Sequence, residues 1–141
     1  MTLTKEYVEN IFEHGRKHEM EEMFSYIRED ADFTIGNPGY KSTFVSGHYT
    51  SRSEYQKAVL PFYSLFAAPP VQVIERLLVI GNTAVCETRN EGVGKKTGQH
   101  YVNPVCIIMD FDDDAEKPRT KRVKEYFDSA LIQHVHDTNK D

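Results

Sequence analysis

Hydrophobic positions in the first third of the chain recur at helical spacing. Tyr7, Val8, Ile11 and Phe12 form one apolar stripe, which Thr4 can cap and which ends near Gly15. Met20, Met23, Phe24 and Ile27 repeat at intervals of three and four and predict a second, shorter helix. "ADFTIGNPGY" then reads as a short strand stopped by the turn cluster Gly36-Asn37-Pro38-Gly39. Beyond a loop through His48, Ser51-Arg52-Ser53-Glu54 has the Ser-x-x-Glu form of a capping box. It predicts a third helix to about Phe66, with Tyr55, Val59, Phe62 and Phe66 in period and Pro61 kinking it.

After Pro69-Pro70 the period changes to that of strands. "VQVIERLLVI" and "TAVCETRNEGV" flank a Gly81-Asn82 turn, and "GKKTG" leads into "QHYVNPVCIIMDF". A polar loop, "DDDAEKPRT", precedes the last predicted strand, "KRVKEYFDSALIQHV". Helices followed by a long meander predict an α+β fold. We expect one domain over residues 1–141: a cone-shaped curved antiparallel sheet with three N-terminal helices covering a pocket.

Composition narrows the function. The 141 residues are 39% hydrophobic and 28% charged, as in globular proteins, with a formal net charge of −5 and no basic block. That balance argues against nucleic acid and membrane surfaces as partners. No leader-like or membrane-length apolar run follows "MTLTKE", so a cytoplasmic location is expected. Two cysteines without metal-like spacing, no phosphate loop and no dinucleotide fingerprint point to no cofactor and no metal.

One position stands out. In "RVKEYFDSAL" the strand period puts Glu125 on the same side as Val123 and Phe127, a carboxylate between two core-like residues. A hairpin turn centred on Lys96 would set Arg89 opposite Asn103, Glu91 opposite Tyr101 and Cys86 opposite Cys106. Glu87, Arg89, Glu91, Tyr101, Asn103 and Val105 would then share one face and the two cysteines the other. That charged face is either the pocket wall or the solvent side, and a one-residue bulge would exchange the two.

The last strand resembles that of the nuclear transport factor two-like superfamily, which includes SnoaL-type polyketide cyclases, ketosteroid isomerase, scytalone dehydratase and limonene epoxide hydrolase. The element order is similar over nearly the whole chain. Arg89-Asn90-Glu91 is similar to the Arg-x-Asp motif of limonene epoxide hydrolase, and Lys124-Glu125-Tyr126-Phe127-Asp128 to its Arg-Asp-Tyr-Phe-Asp stretch. The resemblance implies Glu125 as base, Glu91 as acid and Arg89 as the bridge between them. Both acids are longer by a methylene than in that family. Of its water-holding Tyr and Asn on the first strand only Asn37 has a counterpart, in the stretch that begins at Phe33. The resemblance also implies a homodimer formed through the outer sheet face, where Tyr126 and Asp128 point.

A carboxylate in an apolar cavity is pushed toward neutrality and becomes a usable acid or base. Asn103 and Tyr101 could donate to a substrate oxygen, while Phe33, Val105, Phe127 and a loop residue, His48, complete a substrate-binding surface. The expected function is therefore cofactor-free acid–base catalysis (isomerisation, cyclisation or dehydration) on a small hydrophobic oxygenated molecule such as a polyketide or terpenoid. Epoxide hydrolysis is the enzymatic alternative. A small-molecule-binding or dimerisation module with a structural Arg/Glu network is the non-catalytic one. Asp110, Asp112 and Asp114 lack the Gly and Glu of a calcium loop and read as a solvated tip. His134 and His136 read as part of a frayed tail, and Tyr55 and Tyr63 as core or cavity cover.

Overall fold

The computed structural model describes residues 2–141. Helix α1 spans Lys5–Arg16 and begins as its sequence prescribes: the Thr4 hydroxyl accepts the Tyr7 N–H at 3.1 Å, and Val8, Ile11 and Phe12 are buried. Helix α2, Met20–Ser25, is one and a half turns long. It stops before Ile27, which instead opens strand β1, Ile27–Ile35. After a short β2, Gly47–Tyr49, the Ser51 hydroxyl caps α3, Arg52–Tyr63, by accepting the Glu54 N–H. The Glu54 carboxylate reaches back to the Thr50 N–H, so the capping box closes one residue earlier than its simplest form.

Strands β3 (Val71–Ile80), β4 (Thr83–Val93), β5 (His100–Phe111) and β6 (Thr120–Phe127) form the predicted meander. The six strands are ordered β2-β1-β6-β5-β4-β3 in a curved, unclosed sheet. β1 runs parallel to β6 and every other neighbour pair is antiparallel, so the sheet is mixed rather than wholly antiparallel.

The final segment is not one strand: β6 stops at Phe127, and the Asp128 carboxylate accepts the Leu131 N–H to start helix α4, Ser129–Asn139. Asp128 is an N-cap, a role that a short acceptor side chain fills well. His134 and His136 therefore lie on a helix and not in a tail, and the His136 ring stacks on Phe44 at 4.4 Å between centroids.

The β4–β5 register differs from the predicted one by a single residue. Asn90 pairs with Asn103, Arg89 with Pro104 and Cys86 with Ile107. Because side chains alternate, one residue of slip exchanges the faces of β4 relative to β5. Cys86 thus faces the core, fully buried, while Cys106 opposite Glu87 points the other way. The two thiols do not meet, and both are free. Burial pushes the Cys86 thiol up to about 12.

The core lies between the sheet and the helices. Phe33, Ile35, Ile107, Phe111 and Val123 from the sheet meet Val8, Ile11, Leu65, Ile132 and Val135 from the helical side. Each fully buried residue of this size contributes roughly 1.5–3 kcal/mol of apolar burial. β1 ends at Gly36, whose φ of 62° favours glycine and whose N–H donates to the Glu125 carbonyl at 2.9 Å. That bond ties the chain turn after β1 to the strand position of interest.

Candidate active site

A cavity of about 170 Å³ lies on the helix-covered face of the sheet. Its walls are mainly apolar, with Phe33, Ile35, Val105, Ile107 and Phe127 from the strands and Phe62 from α3 among them. The strand parity of β6 delivers Val123, Glu125 and Phe127 to this wall together. Glu125 is therefore a carboxylate inside an apolar cavity.

Two tyrosines of α3 stand over it. Tyr55 lies flat on Phe33, with centroids 4.1 Å apart and planes within 6°, and its hydroxyl donates to Glu125 Oε1 at 3.3 Å. Tyr63, about two turns further along α3, also lines the cavity. Burial pushes the Glu125 carboxyl up to about 7, and the Tyr55 hydrogen bond pulls it partly back by favouring the ionised form. Burial and the neighbouring Glu125 push Tyr63 up to about 12 and Tyr55 well above the usual phenol range. Both phenols are accordingly donors and not anions at neutral pH.

The other expected residues divide. Phe33, Val105 and Phe127 line the cavity with Glu125. Arg89 and Glu91 do not: the register turns them to the opposite face, where Arg89 pairs with Glu91 and, at 3.2 Å, with Glu75. Asn103 shares the inner face but is committed. Its Nδ2 donates to the Tyr101 hydroxyl at 2.9 Å and to the Asp128 carbonyl, and its Oδ1 accepts the Asp128 N–H at 3.0 Å. Fully buried, it ties β5 to the β6–α4 junction. Tyr101 packs at the edge of Phe62 and Phe66 instead of reaching the cavity, and burial raises it to about 12. His48 is exposed on β2 and bonds Asp32 at 2.6 Å. Asn37 is exposed too, its Oδ1 accepting the Gly39 N–H in a local turn.

Residues outside the expected set occupy the vacated wall. With Arg89 and Glu91 turned out, Asn90 between them turns in and lines the cavity, opposite Gln72 of β3. Its Oδ1 is buried without a hydrogen-bond partner, an arrangement that costs roughly 1–3 kcal/mol if left unmet. A second groove, about 340 Å³, adjoins the cavity. Phe12, Met23, Phe24, Val59, Tyr63 and Gln72 are among the residues that line both, so the groove is continuous with the cavity between α2, α3 and the start of β3. Ile132 of α4 contributes to the cavity wall, a part no tail would have played.

Among the described residues no group of three or more His, Cys, Asp or Glu side chains could hold a metal ion. The Asp112 and Asp114 carboxylates accept backbone N–H groups of their own loop. No helix among the described residues is long and apolar enough to cross a membrane.

An α+β layer of helices on a curved, unclosed six-stranded sheet, holding a cavity between them, is the NTF2-like fold. Solved structures of that kind match almost the full chain. An NTF2-like protein from Burkholderia thailandensis is 18% identical, with 92% of this chain and 94% of that one covered at a TM-score of 0.70. A putative SnoaL-like polyketide cyclase from Jannaschia sp. CCS1 is 12% identical, covering 96% and 91% at 0.72. TerC, co-crystallised with polyporic acid, is 13% identical, covering 94% and 96% at 0.72. No family model and no curated protein matches the chain. At such identities the likeness defines the fold, and the chemistry rests on this chain's own residues.

Proposed function

We propose that this protein is an acid–base catalyst that moves a proton next to a carbonyl of a small, mainly hydrophobic molecule, with Glu125 as the group that takes and returns it. One observation carries the reading: a carboxyl pushed up to about 7 faces an apolar cavity, under the hydroxyl of Tyr55. At neutral pH such a group is divided between its two forms, the condition for an efficient general base that must also act as an acid. As carboxylate it accepts the proton from the carbon beside the carbonyl, leaving an enolate. As carboxylic acid it returns that proton to another carbon, or to a departing hydroxyl in a dehydration. The chain's own side chains suffice for these steps. TerC, a fold neighbour co-crystallised with polyporic acid, supports an organic ligand for such a cavity. Epoxide opening with Arg89 and Glu91 as partners of Glu125 loses its support, because both residues face away.

The assembly proposed with this reading is a homodimer formed through the outer sheet face. Val102 and Tyr126, about half exposed on that face, support it. Sedimentation equilibrium reads the assembly directly, and a monomer across the micromolar range overturns it.

Proton exchange tests the catalytic reading. Cyclic ketones of one to three rings, 2-tetralone among them, are incubated with the protein in D2O, and loss of the α-proton signal is followed by NMR. Exchange faster than in buffer, with an acid limb near pH 7, is expected, together with at least a hundredfold loss in Glu125→Gln. Exchange no faster than buffer for every ketone overturns catalysis in favour of a binding module.

A further inference from the structure

We infer that Asn90, with Gln72 across from it, is a second polar pole of the cavity and selects ligands that carry a hydrogen-bonding oxygen at each end of an apolar body. The inference rests on the reading that Glu125 receives one end of the ligand. It arises from a separate observation at the other end.

That observation is the Asn90 amide. Its Oδ1 is buried without a partner although Asn90 sits in a regular part of β4, paired with Gln72 on one side and Asn103 on the other. Asn103 cannot relieve it, because its own amide is occupied by Tyr101 and by the backbone of Asp128. A buried acceptor is tolerated when a group that comes and goes supplies the donor. Both amides line the cavity, and Gln72 also lines the adjoining groove, so the pair marks the passage between the two.

The sheet register places this pole away from the carboxylate. Asn90 pairs with Asn103 and Glu125 with Ile107, so the two stand two strands apart and four residues apart along β5. Flat-sheet spacing gives roughly 16 Å between their Cα atoms, from which both side chains reach into the space between. Val105, on the same face of β5 between those two partners, lines that space with an apolar surface. A ligand with a hydroxyl donating to Asn90 Oδ1, two fused rings over Val105 and a second oxygen function at Glu125 satisfies each of these features. A ligand with one oxygen leaves a buried acceptor unmet, which is the condition under which polar sites discriminate strongly.

Binding of 2-naphthol and 2,6-dihydroxynaphthalene, measured by calorimetry, tests the pole. The dihydroxy compound is expected to bind at least tenfold more tightly to the unaltered protein. Asn90→Leu should abolish that preference while changing 2-naphthol affinity less than threefold, and Asn90→Ala, which guards against misfolding from the larger side chain, should abolish it too. Equal affinities on the unaltered protein, or a preference retained in both variants, overturn the inference. Glu125→Gln should keep the preference, since a Gln side chain still bonds a hydroxyl. The calorimetry thus reads the amide pole, whereas proton exchange reads the catalytic role of Glu125, and either can fail without the other.

Discussion

The Tyr55 hydroxyl donates to Glu125 Oε1 at 3.3 Å, joining helix α3 to strand β6 across the cavity. The same tyrosine is held by its stack on Phe33, so three elements fix the direction of one hydrogen bond. Burial raises the carboxyl toward neutrality and this bond restrains the rise. Tyr55→Phe keeps the stack and removes the bond. The Glu125 carboxyl should then titrate above its present value of about 7, by up to roughly one pH unit, as read from its side-chain carboxyl carbon by NMR. An unchanged midpoint would show that the bond carries no weight in setting the acidity.

The raised pKa of Glu125 also fixes how stability depends on pH. In the unfolded chain Glu125 ionises near 4.5; in the folded protein it holds its proton to about 7. Between these values only the unfolded state releases the proton, so the contribution of Glu125 is fully present below 4.5 and declines as pH rises to about 7. The full displacement corresponds to roughly 3 kcal/mol. Glu125→Gln does not titrate and should gain on the unaltered protein by up to that amount between pH 4.5 and 8. Urea unfolding at both ends of the range checks this, and parallel pH profiles would contradict a buried carboxyl.

Much of this was readable from residue order, and the failures in β3 and β4 share a cause. The capped starts of α1 and α3, the meander and the inward Glu125 follow from local signals: Thr4, Ser51, the strand period and the turn clusters. Both failures depended on counting by one. The β4–β5 turn carries one residue of offset against the simplest symmetric hairpin, and that alone exchanged Arg89 and Glu91 for Asn90 at the cavity wall. A register shift between Ile74 and Arg76 likewise lets Gln72 and Ile74 face inward before it and Leu77 after it, which a period-two reading of "VQVIERLLVI" cannot follow. Asp128 was legible as an N-cap, three residues before Leu131. The apolar run that begins at Ala130 masked it, because α4 continues directly from β6. The parallel pairing of β1 with β6 has no local signal, since both strands are set by contacts distant in sequence.

Arg89 gives the outward assignment a direct check. Its guanidinium pairs with Glu75 and Glu91 on a face where all three are substantially exposed, so solvent screens both pairs and they add little to stability. Arg89→Ala, alone or with Glu91→Gln, should leave the melting temperature nearly unchanged and the Glu125 titration and proton exchange unaltered. A loss of exchange activity, or a shift in the Glu125 midpoint, would place Arg89 back within reach of the cavity.

The cavity wall formed by α4 depends on a contact far from Glu125. Asn139, 1% exposed at the end of that helix, accepts the N–H groups of Lys96 and Thr97 in the β4–β5 turn and donates to the Val135 carbonyl. The turn admits this side chain because residue 94 is glycine: a Cβ there would lie 2.6 Å from Asn139 Oδ1 and 2.6 Å from Thr97 Oγ1. Asn139→Ala leaves the Lys96 and Thr97 N–H groups and the Val135 carbonyl without this buried partner and should cost roughly 1–3 kcal/mol, while Gly94→Ala should cost a similar amount through overpacking. The two should not add. Removing the Asn139 amide clears one of the two clashes, so Gly94→Ala should be milder in the Asn139→Ala background, with a coupling of at least 0.5 kcal/mol or so in a double-mutant cycle. Because Ile132 of the same helix faces the cavity, each single variant should also weaken naphthol binding although neither residue touches the ligand. Additive losses with unchanged binding would mean that α4 holds its place by the burial of Ile132 and Val135 alone.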